Sequence, residues 1–169
     1  MLILVAWSPW SGLLYRGDGK LSDNLFFYPR YRLKFAEIPL SEANEYHFHF
    51  KGAPHEEMGL VLYVKGGLAD WDYRHSLVNF PASIDAKLTN GKGNVVCHAS
   101  GRPADANSEG VWVLMSGPGV AGYWHYQCNG FRVSTLETYR LTIRVTNVGP
   151  QAEKVVVVPT LEGGGIELP

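Results

Sequence analysis

Apolar and polar residues alternate along several short stretches of the chain, a period of two that is typical of β-strands with one face in a core. In residues 45–51, Tyr46, Phe48 and Phe50 alternate with charged residues and histidines. Residues 138–146 alternate in the same way, with threonine and arginine at the polar positions, over the ordinary length of a half-buried strand. Both stretches are predicted to be strands with one buried face and one wet face.

Other stretches are predicted to be strands from different patterns. Residues 31–38 alternate up to a slip near Ala36, and residues 59–67 form an apolar run closed by glycines, which indicates a strand covered on both faces near the middle of a sheet. An Asn-Gly pair at residues 90–91 predicts a hairpin, because this pair supplies the positive φ of a tight turn. The remaining strand-like stretches are residues 83–88, 94–99, 111–115, 123–128 and 154–161, with residues 2–7 as a further candidate.

These stretches, separated by turns rich in glycine and proline, define the predicted fold class. Because a helical period is almost absent, we expect an all-β fold. Its predicted form is a two-sheet antiparallel β-sandwich of Greek-key or jelly-roll type, with about eight or nine strands. The length of 169 residues suits one domain over residues 1–169, and the glycine run near the end predicts a flexible C-terminal tail over residues 162–169.

Composition narrows the classes of partner. Apolar residues make up 46% of the chain and charged residues 18%, and the formal net charge is -1. Such a chain is globular and has no overall attraction to nucleic acid or anionic lipid, and no stretch reaches the roughly 18 consecutive apolar residues of a membrane helix. We expect a soluble protein without a membrane span. The compartment stays open, because Cys97 and Cys128 can form one bridge or remain buried thiols.

An acidic and aromatic segment at residues 70–75 follows the predicted central strand and is the first candidate binding site. Binding residues concentrate in loops on a rigid scaffold, and exposed aromatic rings stack on sugar rings while polar groups bond to the hydroxyls. The alternative is that this loop caps the sandwich, with its tryptophan in the core. The acids also have part of the spacing of a Ca²⁺ site, but the pattern is not completed. The candidate ligand-binding residues are Trp71, Tyr73, Trp124, Asp70, Asp72 and Arg74.

His47 and His49 form the second candidate site. Residues two apart on a strand point to one face and lie about 6.5 to 7 Å apart at the backbone, which lets two imidazoles converge on one Zn²⁺ ion. A third ligand is missing from this stretch, and the alternative is that both histidines are ordinary exposed polar residues. We therefore expect no cofactor, unless Zn²⁺ binds to these histidines or Ca²⁺ binds to the acidic segment at residues 70–75. Histidines that a neighbouring strand could contribute are His55, His75, His98 and His125.

Basic residues on the polar faces of two predicted strands form a third candidate. Arg30, Arg32 and Lys34 belong to one such face, and Arg140 and Arg144 belong to another. If the two strands are neighbours, the residues form a positive patch on an otherwise neutral protein. Such a patch suits an acidic saccharide or a protein partner better than duplex DNA.

The signatures of nucleophilic catalysis, of zinc proteases and of nucleotide binding are all absent from the sequence, so these common local motifs do not point to an enzyme. The leading hypothesis is a non-catalytic recognition module that binds carbohydrate through loop-end aromatic residues. One alternative is a structural or assembly domain that engages itself, as a homo-oligomer, or another protein through strand edges. A second alternative is a metal-dependent enzyme that uses His47 and His49.

Overall fold

A computed structural model describes residues 20–22, 31–51, 57–65, 82–102, 112–117, 120–134, 136–148 and 155–163. Within these ranges the chain forms antiparallel strands in two sheets and no helix, which confirms the predicted all-β, two-sheet class. The strands are β1 (Lys20–Ser22), β2 (Tyr31–Lys34), β3 (Ile38–Pro39), β4 (Asn44–Lys51), β5 (Glu57–Val64), β6 (Ser83–Asn90), β7 (Val95–Gly101), β8 (Trp112–Gly117), β9 (Val120–Arg132), β10 (Thr138–Thr146) and β11 (Val156–Gly163).

The strands divide unequally between the sheets. The first sheet has the order β1-β2-β11-β5-β9-β8, with β3 also paired to β11, and the second has the order β4-β10-β6-β7. The predicted central strand is β5, which lies between β11 and β9 and buries Leu60, Val61 and Leu62. The slip near Ala36 is the break between β2 and β3. Two very short strands, β1 and β3, raise the count above the eight or nine expected.

The hydrophobic core lies between the two sheets and is built from their alternating inward residues. Phe35, next to β2, packs on Phe48 of β4 with ring centroids 5.1 Å apart, so the sheets meet face to face. Strand β10 has the bounds that its period predicts, and every second residue of it is buried. The buried residues of β10 are Tyr139, Leu141, Ile143 and Val145.

The β6–β7 hairpin is present, but its positive φ lies two residues later than predicted. The backbone N–H of Gly93 donates to the carbonyl of Asn90 over 2.8 Å, and Gly93 itself has φ of 82°. This is a three-residue loop in which the last residue takes the left-handed conformation. Gly91 has a different constraint, since a Cβ there would lie 2.7 Å from Oγ1 of Thr138. A side chain at position 91 would therefore crowd Thr138 at the start of β10.

Cys97 of β7 is disulfide-bonded. The sequence offers it one partner, Cys128, whose backbone lies in β9. Strands β7 and β9 belong to different sheets and contact each other. Of the two alternatives for Cys97, a bridge or a thiol, the structure has the bridge.

The sequence also predicts a C-terminal tail, an N-terminal strand and the absence of a membrane span. Strand β11 continues through Gly163, so the first two residues of the predicted tail are in a strand, while residues 164–169 lie outside the described ranges. The predicted strand at residues 2–7 also lies outside them. In the part of the chain that the structure describes, no helix has the length and apolar character needed to cross a bilayer.

The Tyr139 hydroxyl closes the turn that leads into β10. It accepts a hydrogen bond of 2.6 Å from the backbone N–H of Ser134 and donates one of 3.3 Å to Oε2 of Glu137. Burial is the main cause that raises the pKa of the Tyr139 phenol above its ordinary value, and Glu137 adds to the increase while the Ser134 hydrogen bond opposes it. The folded state therefore favours the neutral phenol.

Replacement of Tyr139 with phenylalanine should change both the stability and its dependence on alkaline pH. The variant loses a buried hydrogen bond, which lowers the free energy of unfolding by about 1 kcal/mol at neutral pH. A raised folded-state pKa contributes stability below the unfolded-state value near 10, and this contribution is lost as pH rises through the folded-state value. Urea unfolding should thus show a wild-type advantage that is constant up to about pH 9 and shrinks as pH rises above about 10. An advantage that grows with pH would contradict the assignment.

Candidate functional site

The outer side of the second sheet presents a continuous polar surface, which we call the polar face. Its residues alternate with the core residues of the same four strands, and it begins at the edge strand β4 with exposed Glu45, His47, His49 and Lys51. The polar face comprises Glu45, His47, His49 and Lys51 of β4, Thr138, Arg140, Thr142 and Arg144 of β10, Asp85, Lys87 and Thr89 of β6, and His98 and Ser100 of β7.

Strand pairing arranges these residues in rows that run across the sheet. Each row is a set of cross-strand partners, whose side chains share a face and lie close enough to interact. The rows are Glu45, Arg144, Asp85 and Ser100, then His47, Thr142, Lys87 and His98, then His49, Arg140, Thr89 and the exposed Val95, and last Lys51 and Thr138.

Both carboxylates of the polar face are engaged by neighbours. Glu45 Oε2 lies 2.6 Å from Nη2 of Arg144 and 2.7 Å from its Nε, and Glu45 Oε1 lies 3.2 Å from Nε2 of His47. Asp85 Oδ2 lies 2.9 Å from Nε2 of His98. These exposed pairs contribute at most about 1 kcal/mol each to stability. The Glu45 pair has a larger effect on charge, because it neutralises Arg144 at one end of the polar face.

Three cations of the polar face have no carboxylate partner among the described residues. Lys51, Lys87 and Arg140 are exposed, and no carboxylate of the described residues forms an ion pair with any of them. Lys51 pairs with Thr138, two residues before Arg140, and Lys87 pairs with Thr142, two residues after it. The three cations are therefore successive diagonal neighbours across three strands, about 7 to 8 Å apart. We call this line the cation diagonal.

The basic patch expected from the sequence does not form as predicted. Arg32 and Lys34 belong to β2 of the first sheet, whereas Arg140 and Arg144 belong to β10 of the second, so the two pairs are not neighbours. Arg30 lies outside the described residues. A basic surface arises instead within the second sheet, where β6 adds Lys87 beside β10. Sequence reasoning missed Lys87 because no local signal identifies which strand pairs with β10.

The histidine pair lies where the period predicts, side by side on the exposed face of β4. Nδ1 of His47 lies 3.2 Å from Oγ1 of Thr142. His98 is on β7, with β10 and β6 between it and β4, and His125 is in β9 of the other sheet. No group of three or more metal-ligating side chains occurs among the described residues. The metal site at His47 and His49 stays a prediction.

The aromatic candidates lie largely beyond the described part of the chain. Asp70, Trp71, Asp72, Tyr73 and Arg74 fall in residues 66–81, which are outside it. The backbone of Trp124 is in β9, where it pairs with Leu62, a fully buried residue. Within the described residues the polar face carries no aromatic ring. The predicted stacking site stays a prediction.

The first sheet carries a smaller charged cluster on its outer side. Tyr63 pairs with Val158, yet its hydroxyl donates to Oε1 of Glu162 over 2.7 Å, so its side chain extends along the sheet past the fully buried Thr160. Arg32 Nε lies 2.6 Å from the same carboxylate oxygen, without the alignment of a hydrogen bond. The charges of this cluster are matched internally, unlike those of the polar face.

Comparison with known proteins adds no assignment. No model of a protein family matches the chain, and no curated protein matches it either. The function is therefore argued from the geometry of the polar face.

Proposed function

We propose that the protein is a non-catalytic recognition module that binds carbohydrate, and that the polar face is a binding surface for it. The observation that carries the proposal is the cation diagonal, set among threonine hydroxyls and imidazoles on one open face. Sugar hydroxyls and acidic substituents are recognised by such fixed donors and acceptors. An open face, in contrast to a closed pocket, suits an extended chain of sugars.

The scaffold beneath the polar face supports this role. The residues that alternate with Arg140 and Thr142 are Tyr139, Leu141 and Ile143, which are at most 4% exposed. Packing of these residues fixes the backbone from which the outward side chains project, so less ordering is needed when a ligand binds. Exposed lysine and arginine side chains still adjust to the ligand, because only their stems are held by the strand.

Calorimetric titration with a panel of neutral and acidic oligosaccharides tests the proposal. We expect at least one glycan to bind, and the double variant Arg140→Ala with Thr142→Ala to weaken its binding by about tenfold or more, since it removes a charge-assisted hydrogen bond and a hydroxyl. Lys34→Ala is the control, because Lys34 is also an exposed cation but belongs to the first sheet. It should leave binding unchanged.

The same titration separates the polar face from the aromatic segment. If Trp71→Ala combined with Trp124→Ala abolishes binding while the Arg140 and Thr142 variant binds normally, carbohydrate binding survives but not on the polar face. The proposal for this surface is then wrong. Absence of binding to every glycan in the panel overturns the proposed function itself.

Assembly through strand edges stays a prediction. Strand β4 is one edge of the second sheet, and its outward Glu45 and Lys51 are charged, which acts against pairing with another chain. Recognition by the polar face is therefore favoured over edge pairing at β4. Sedimentation at several protein concentrations would reveal self-association.

A further inference from the structure

We infer that the ligand of the polar face is a polysaccharide of uronic acids, whose carboxylates lie along the cation diagonal of Lys87, Arg140 and Lys51. This inference names the ligand class of the surface described above, so it rests on the proposed function. It follows from three observations about the same face: the distribution of charge, the spacing of the cations and the groups that lie between them.

The distribution of charge favours an anionic ligand. The polar face carries four basic residues and two acidic residues, whereas the whole chain has a formal charge of -1. Glu45 is occupied by Arg144 and Asp85 lies against His98, so neither acid is ion-paired with a member of the cation diagonal. The unmatched positive charge lies on Lys87, Arg140 and Lys51, all of which are exposed. Complementary charge on a partner steers association toward such a surface.

The positions of the two acidic residues also favour one path for a polyanion across the polar face. Glu45 and Asp85 lie in the same row, on either side of Arg144, at the end of the sheet where Lys87 terminates the cation diagonal. A polyanion that ran straight along β10 would pass between the two carboxylates. The diagonal path, from Lys87 of β6 to Lys51 of β4, leads away from that row and avoids the repulsion.

The spacing of the cations favours a polymer with a moderate density of negative charge. Successive cations are about 7 to 8 Å apart, and threonine hydroxyls and an imidazole lie between them. Thr142 stands beside Lys87, His49 and Thr89 flank Arg140, and Thr138 stands beside Lys51. A uronic acid chain offers the matching sequence of groups, with carboxylates separated by hydroxyls. A heavily sulfated chain carries more anionic groups than this face has cations to match.

Arg140 occupies the middle of the diagonal and is the strongest anchor. The planar guanidinium binds a carboxylate through two parallel hydrogen bonds, which lysine cannot do. Oγ1 of Thr89 donates to the backbone carbonyl of Arg140 over 3.4 Å, and no carboxylate of the described residues pairs with the guanidinium. The Arg140 side chain is therefore available for bidentate binding.

Titration with polygalacturonate and with its fully methyl-esterified form tests the inference on one sugar backbone. We expect the acid form to bind, its binding to weaken as salt is added, and the ester to bind at least about tenfold less tightly because its charges are removed. Arg140→Lys should weaken binding of the acid form by about tenfold, and the triple variant Lys51→Gln, Lys87→Gln and Arg140→Gln should abolish it. Lys34→Gln and Lys92→Gln, exposed positions outside the polar face, are the controls.

Each competing result has a defined meaning. If the ester binds as tightly as the acid form and the triple variant retains binding, the uronic acid inference is overturned while carbohydrate recognition survives. If neither form nor any other glycan binds, the proposed function fails as well. Tighter binding of dextran sulfate, of polyglutamate or of oligothymidylate than of polygalacturonate overturns the assignment of the ligand class. Unchanged urea unfolding of the variants shows that lost binding is not lost folding.

Discussion

Reduction of the disulfide at Cys97 is expected to lower the free energy of unfolding by about 3 to 4 kcal/mol. The bond removes conformations from the unfolded chain, and the effect grows with the length of the loop that it closes. Cys97 lies in β7 and Cys128, the other cysteine of the chain, lies in β9. The disulfide therefore connects strands of two different sheets. Backbone hydrogen bonds run within each sheet and do not connect β7 to β9.

Urea unfolding with and without reductant measures this contribution. The variant Cys97→Ser should unfold at the same low urea concentration in both conditions, and it should resemble the reduced wild type apart from the small cost of a buried hydroxyl. A wild-type protein whose unfolding does not respond to reductant would contradict the stabilising role of the bond.

Replacement of Leu141 with alanine should lower the free energy of unfolding by about 3 to 4 kcal/mol, the cost of a cavity in a well-packed core. Leu141 is 0% exposed and pairs with Phe48 on one side and Leu88 on the other. It thus sits at the centre of the inner layer of the second sheet, where little can move in to fill the space.

The neighbouring residue provides a matched control for Leu141. Thr142→Ala is one position along the same strand but belongs to the polar face, and it should change the free energy of unfolding by no more than about 0.5 kcal/mol. Equal effects of the two substitutions, measured by urea unfolding, would show that the two faces of β10 are not distinguished as described.

Local periodicity predicts most of the described strands, with β1 as an exception, but it does not predict which strands pair. The alternation in residues 138–146 predicts β10 with its bounds, because burial of one face depends only on the residue order. The same alternation describes the basic residues of β2 and β10 equally well, yet Arg32 and Arg140 belong to different sheets. Strand order depends on contacts between distant segments, and no single stretch encodes it.

In the hairpin and in the candidate site, the sequence predicts the local element but not its detailed geometry. An Asn-Gly pair correctly predicts a turn between β6 and β7, but the positive φ falls at Gly93 because the loop has three residues. Exposure of His47 and His49 followed from the sequence. The cation diagonal did not, since Lys87 joins Arg140 only through the pairing of β6 with β10.

Titration of ¹⁵N-labelled protein with polygalacturonate oligomers, followed by NMR, tests most directly whether the polar face is the binding surface. We expect the perturbed amides to cluster in β4, β10 and β6 around Lys51, Arg140 and Lys87, and β2 and β11 of the first sheet to be unaffected. Perturbations confined to the first sheet or to residues 70–75 would contradict this expectation.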